Sequence, residues 1–145
     1  MNREFPSQPI VGVGAVIIQD GRAVLVRRGG EPLAGEWSVP GGVLELGETL
    51  RRGAEREALE ETGLLVRAGE VLEVFDSIVP ASDGRVRYHF VLIDFLCTVE
   101  GGELRAGGDA ADVRWAAADD LAALSLRPDI DAVIRKGLAH STRLS

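Results

Sequence analysis

The chain has 145 residues, of which 46% are hydrophobic, and a formal net charge of −7. That is one domain of ordinary size with enough apolar material for a real core, which excludes a disordered chain. The acidic balance excludes a surface built to coat nucleic acid, which needs a basic footprint, and leaves any anionic substrate dependent on local cations or arginines.

The first stretch, MNREFPSQP, is polar. The apolar run Ile10–Ile18 is too short to cross a membrane, and no cleavage-like sequence follows it. It reads as a strand, so neither a signal peptide nor a membrane span is expected, and a cytoplasmic location follows by default. The strand Ile10–Gln19 turns at Asp20-Gly21 into Ala23–Arg28, forming an antiparallel pair. Gly12 and Gly14 weaken the first strand but let another group approach closely, either a flat ring or ordinary packing. Gly29–Glu36 reads as a polar loop and Trp37-Ser38-Val39 as a short strand. Pro40-Gly41-Gly42 ends that strand in a turn open to conformations closed to other residues. Val43–Leu46 reads as another brief strand.

A helix follows, with Thr49 as its N-cap and Gly63 as its C′ stop after about Thr62. Leu50, Ala54, Ala58 and Leu59 are its expected buried side. Gly53 costs about 1 kcal/mol against alanine there, a cost that a close contact with the sheet would explain. Leu65–Phe75 is a second β segment, broken near Ala68-Gly69, and Pro80–Arg85 is a loop. Val86–Glu100 is the longest β run, and its near-continuous apolar character suits a central strand covered on both faces. The single cysteine, Cys97, lies in it; it excludes an internal disulfide, fits a reducing compartment and reads as a small core residue. A loop runs from Gly101-Gly102 through Gly107-Gly108. Val113–Ala116 is a last short strand, Asp119–Leu124 one or two helical turns, and Arg127-Pro128 leads into a final helix, about Asp129–Ala139. Ser141–Ser145 is expected to fray. There are no repeats. The order of elements predicts an α/β domain over residues 1–145, with a mixed sheet layered by helices.

Chemistry concentrates on the first helix. Glu57, Glu60 and Glu61 stand at i, i+3 and i+4, on one face. Like charges so spaced cost a bare helix a few tenths of a kcal/mol each. A divalent cation reverses that sign, and Mg²⁺ prefers oxygen ligands and works with substrate phosphates. A plain solvated helix face carries the same composition.

The surrounding pattern separates the two readings. Gly42, then Glu48, then Arg56-Glu57-Ala58-Leu59-Glu60-Glu61-Thr62-Gly63-Leu64 resembles the Nudix box, with every defined position filled. The resemblance implies the Nudix α/β/α sandwich, with a mixed β-sheet between helices and the box as a loop-helix-loop. It implies a Mg²⁺-dependent pyrophosphohydrolase, with Mn²⁺ as the alternative ion. Glu57, Glu60 and Glu61 are then the metal ligands, Glu48 a fourth or a ligand through water, and the Gly41 carbonyl a backbone ligand. Gly42, Arg56 and Gly63 are structural. Arg56 would hold a box glutamate, Glu48, by a forked hydrogen bond, or else pair with Glu60 on the surface.

The general base is either a box glutamate, Glu57 or Glu60, or an acid on the loop before a Trp-bearing strand. That acid is Asp109, with Asp112 and Glu103 as neighbours able to substitute; a loop-turn aspartate is the alternative reading of Asp109. Arg27 and Arg28 end the second strand, and alternation points one of them at the pocket, where it would bind phosphate. Trp37 would stack on a base or fill the core. His89 reads as a structural histidine or a substrate contact, and His140 carries no signal. Pro80, sixteen residues beyond Leu64, matches members acting on ADP-ribose. This favours ADP-ribose or a related nucleoside-diphosphate sugar, over a nucleoside triphosphate or oxidised dNTP cleaved to the monophosphate, with dinucleoside polyphosphates and nicotinamide dinucleotides behind. A non-catalytic nucleotide sensor and a protein-interaction module are the non-enzyme readings. The expected partner is a small nucleotide, with neither nucleic acid nor membrane, and the resemblance implies a homodimer.

Overall fold

The computed structural model describes residues 3–30 and 33–144, with side chains to Ser141. The elements in order are β1 (Ile10–Gln19), β2 (Arg22–Arg28), β3 (Trp37–Ser38), β4 (Gly41–Val43), α1 (Leu50–Thr62), β5 (Leu64–Pro80), β6 (Val86–Gly102), β7 (Ala110–Ala117), α2 (Ala118–Leu121) and α3 (Pro128–Leu144). A 3₁₀ turn, Ala122–Leu124, follows α2. Part of the expected Gly29–Glu36 loop, residues 31 and 32, lies outside the described residues, as does Ser145 at the end of the stretch expected to fray.

The hairpin at Asp20-Gly21 has both residues at positive φ, 52° and 74°. That is the mirror-image turn whose twist matches a right-handed strand pair. The two strands stay paired only next to the turn, at Ile18–Ala23 and Gln19–Arg22. They then splay. β1 joins β6 in parallel and β4 antiparallel, while β2 takes β3 and β7. β1 is thus the central strand. β6, expected to be central, lies between β1 and β5.

Alternation along β1 sorts the core. Val13, Ala15 and Ile17 face α1, with Ala54, Ala58, Phe95 and Cys97. Val16 and Ile18 face α3, with Leu72, Val133 and Ile134. Helices therefore cover both faces of a mixed sheet, the expected sandwich.

Several boundaries differ from expectation. The strand after the glycine turn is Gly41–Val43, not Val43–Leu46, because its partners are Gly12–Gly14 of β1. β6 continues through Gly101-Gly102, held by pairing with Leu65 and Leu64. The break expected at Ala68-Gly69 is a register shift inside a continuous strand. β7 begins at Ala110, not Val113, and α3 runs to Leu144, beyond Ala139. Leu50 and Leu59, expected to be buried, are exposed. The buried side of α1 is Gly53, Ala54, Ala58, Glu61 and Thr62. A Cβ at Gly53 would stand 2.8 Å from Leu44 Cδ1 and 3.2 Å from Val13 Cγ2. These small residues let α1 sit close on the sheet, which turns Glu57 and Glu61 inward rather than Leu50 and Leu59.

Candidate active site

α1 is fixed at both ends by local chemistry. Thr49 accepts a hydrogen bond from the Arg52 N–H at 3.2 Å, and Gly63 ends the helix in the left-handed conformation at φ 75°. Between these caps the helix presents its carboxylates to the glycine turn.

Arg56 organises them. Its Nε donates to Glu48 Oε2 at 2.6 Å and its Nη2 to Glu48 Oε1 at 2.9 Å, a forked pair. Nη1 donates to Glu57 Oε1 at 2.9 Å and reaches Glu60 at 3.4 Å. Nη2 also meets the Val43 carbonyl. The fork and the surface pair with Glu60 thus coexist. The Arg56 guanidinium holds the Glu48 carboxyl below its ordinary range. Burial pushes Glu57 up, against the pull of Arg56. Gly42 has no side chain because the Glu57 carboxylate occupies that space: a Cβ there would stand 2.7 Å from Oε2.

Glu61 is the most enclosed of the set. Its Oε1 accepts from the Gly41 N–H at 2.8 Å. Burial raises it to about 7, the Gly41 hydrogen bond opposing, with Glu57 and Asp109 adding repulsion and Arg28 attraction.

Glu48, Arg56, Glu57, Glu60 and Glu61 line one open cleft, and Asp109 stands in it beside Gly108. Asp112 and Glu103 do not line it; Asp112 accepts from the Val113 N–H. Among the described residues, no group of three or more acidic, His or Cys side chains is arranged to hold a metal ion as it stands. The cause is visible. Arg56 occupies Glu48 and Glu57, and Glu61 is turned onto a backbone N–H. The donor set still suits a hard cation: the acids are all oxygen ligands. Desolvation raises the Glu61 carboxyl and disfavours its charge, a cost that a cation would offset.

A second hollow of about 160 Å³ opens on the opposite face of the sheet. The even positions of β1, Gly12 and Gly14, lie on its floor with Tyr88, Phe90, Leu92 and Asp94 of β6 and Phe75, Ser77 and Val79 of β5. Trp37 and Arg28 line its wall. Tyr88 and Phe90 stack at 6.2 Å. Arg28 lines the hollow from the end of β2, where the register with β7 shifts between it and Arg27. Arg27 lines neither hollow; it is exposed, with its guanidinium 5.9 Å from the Trp37 ring centroid. His89 lies on the other face of β6, opposite Ile78, and Pro80 ends β5 outside the hollow. β4 is the thin partition: Gly41, Gly42 and Val43 line the apolar hollow, and Val43 also lines the acidic cleft. Arg3 lines both. Neither Arg3 nor Asp94 stood out in the sequence, although a carboxylate inside the run FVLIDFLC was a signal.

The Nudix domain family model matches residues 8–137. The chain belongs to the Nudix family. This Nudix chain is 37% identical over 107 residues to the ADP-ribose pyrophosphatase of Methanocaldococcus jannaschii, covering 74% of this chain and 61% of that protein. It therefore spans less than two thirds of that relative's length. It is 34% identical over 122 residues to a MutT-like protein of Streptomyces ambofaciens, covering 82% of this chain and 72% of that protein. Among solved structures, a MutT Nudix hydrolase from Burkholderia pseudomallei superposes with a TM-score of 0.73 at 32% identity, covering 90% of this chain and 98% of that one.

Proposed function

We propose that this Nudix domain hydrolyses a phosphoanhydride in a nucleoside diphosphate linked to another moiety, ADP-ribose or a related nucleoside-diphosphate sugar. The carrying observation is that an acidic cleft and an apolar hollow share one thin wall, the glycine-rich β4. A base in the hollow and a diphosphate crossing the Gly41-Gly42 edge would bring the anhydride to the glutamates. The ADP-ribose pyrophosphatase name of the M. jannaschii relative supports the sugar nucleotide.

Glu57, Glu60 and Glu61 would hold Mg²⁺ or Mn²⁺, with Glu48 and the Gly41 carbonyl as further candidate donors. When bound, the ion neutralises phosphate charge and lowers the pKa of water. The chain's own residues do the rest. Arg56 keeps the repelling carboxylates together. Arg28 and Arg3 offset phosphate charge in a chain that is otherwise acidic. Asp109, beside Glu61, is the candidate acceptor of the water proton, with Glu57 and Glu60 as the alternatives. Trp37 and the stacked Tyr88 and Phe90 give the base apolar faces.

The second reading is a nucleoside triphosphate or oxidised dNTP cleaved to its monophosphate, supported by the putative 8-oxo-dGTP diphosphatase name of a Mycobacterium tuberculosis relative, 34% identical over 129 residues. Incubation with Mg²⁺ and a nucleotide panel separates the two. AMP with ribose 5-phosphate supports the sugar nucleotide; pyrophosphate release supports the triphosphate; binding without turnover supports a sensor. A homodimer belongs to the same proposal and is tested by light scattering. Among the described residues no helix is long and apolar enough to cross a membrane.

A further inference from the structure

Asp94 is the anomaly of the apolar hollow. It is 4% exposed, and its Oδ2 has no hydrogen-bond partner among the described residues. A buried polar atom left unpaired is destabilising, because it has lost water and gained no partner. Its register partner on β1 is Gly14. A Cβ at Gly14 would collide with the Asp94 carboxyl. A glycine inside a central strand and an unpaired carboxyl are each unfavourable alone. Together they make one feature: a carboxyl with room reserved for it, on the floor of a hollow walled by aromatic and aliphatic side chains.

We propose that Asp94 reads the amine-bearing edge of an adenine ring seated in this hollow. The inference rests on the hollow being the base site of the proposed hydrolase. At about 160 Å³ it is smaller than the ~300–1,000 Å³ pockets that enclose whole ligands, and suits one ring system.

The protonation of the carboxyl selects the edge. Burial raises Asp94 to about 7, with Asp129 and Glu73 adding to it. Glu73 comes from β5, paired with Lys136 of α3 at 3.2 Å. Asp129 comes from the start of α3, paired with Arg127 at 3.7 Å. Arg28, Arg3 and Glu36 complete the charged groups around the hollow, and Gly14 offers none from β1. A neutral carboxyl presents one donor and one acceptor side by side. Adenine offers the match, an N6 amine that donates and an N1 that accepts. Guanine meets the same neutral carboxyl through its O6 and N1–H, so the contact to the adenine amine is isolated by a purine that lacks the amine.

Calorimetric binding of AMP and of purine riboside 5′-monophosphate, which lacks the amine, tests this. The wild type should bind AMP about tenfold or more tightly than the amine-free nucleotide. Asp94→Leu should lose about tenfold in AMP affinity, whereas Asp94→Asn, a neutral donor-acceptor group, should stay within about threefold. With adenosine, which carries no titrating phosphate, the ratio of wild-type to Asp94→Asn affinity should fall from pH 6 to pH 8. Melting temperatures of the ligand-free variants separate a fold defect from a lost contact. Equal affinity for AMP and the amine-free nucleotide overturns the assignment. So does unchanged AMP binding in Asp94→Leu, or no AMP binding by the wild type. Mg²⁺-dependent hydrolysis of a nucleotide, measured alongside, would then leave the hydrolase reading standing; its absence would sink that reading instead.

Discussion

Glu61 and Gly42 show how single residues set this site. Glu61 is a carboxyl folded away from water with one backbone N–H for company. Burial raises it from 4.5 to about 7. Between those values the folded chain binds more protons than the unfolded chain, so stability falls as pH rises through the window. The full shift corresponds to roughly 3 kcal/mol at most. In metal-free protein, the melting temperature of the wild type should therefore drop between pH 5 and 7.5 relative to Glu61→Gln, whose amide does not titrate. Asp94 titrates identically in both and cancels. A difference between the two proteins that does not change with pH contradicts the account. At Gly42, the missing side chain makes room for the Glu57 carboxylate. Because the atoms in the way are the end of a flexible side chain, Gly42→Ala should fold normally. Its displaced carboxylate should lower turnover on the order of a hundredfold, the cost of misplacing a group by about 1 Å. Full turnover in that variant, with an unchanged melting temperature, would detach Glu57 from the reaction.

The first helix was legible from the sequence because its ends depend on near neighbours. Thr49 caps a N–H three residues on, and Gly63 supplies a conformation that other residues adopt only at a cost. Gly63→Ala would force a side chain into φ 75° and against the Glu103 carbonyl. The left-handed conformation alone costs about 1–2 kcal/mol. Denaturant titration should show at least that loss, and no loss would mean the cap is not stabilising. The neighbouring strand was misplaced by sequence reading for the opposite reason. Val43–Leu46 is the more apolar stretch, but pairing went to Gly41–Val43, opposite Gly14, Val13 and Gly12 of β1, where a Cβ at Gly41 would meet the Val13 carbonyl. That choice is made by a partner distant in the chain. Leu50 and Leu59 were misjudged likewise: hydrophobicity marked them as buried, whereas the small residues beside them decided how closely the helix could sit. The continuation of β6 to Gly102 is again set by a long-range partner, β5.

At the scale of the molecule, the splay of β1 from β2 leaves a sheet with a hollow on each face and a single thin strand between them. The acidic helix face was readable from spacing, but the apolar hollow was not. Its lining comes from β1, β5, β6 and the Trp37 strand, which meet only in the fold. Two hollows joined at a glycine edge give a nucleotide a base site and a phosphate site within reach of one another. The most direct test of this arrangement is turnover of the nucleotide panel by the wild type and Glu57→Gln, each with Mg²⁺ and with chelator, with products identified. The account predicts metal-dependent cleavage at a phosphoanhydride by the wild type, and at least about a hundredfold loss of kcat in Glu57→Gln. Undiminished cleavage by Glu57→Gln, or no cleavage of any nucleotide by the wild type with metal present, would contradict it.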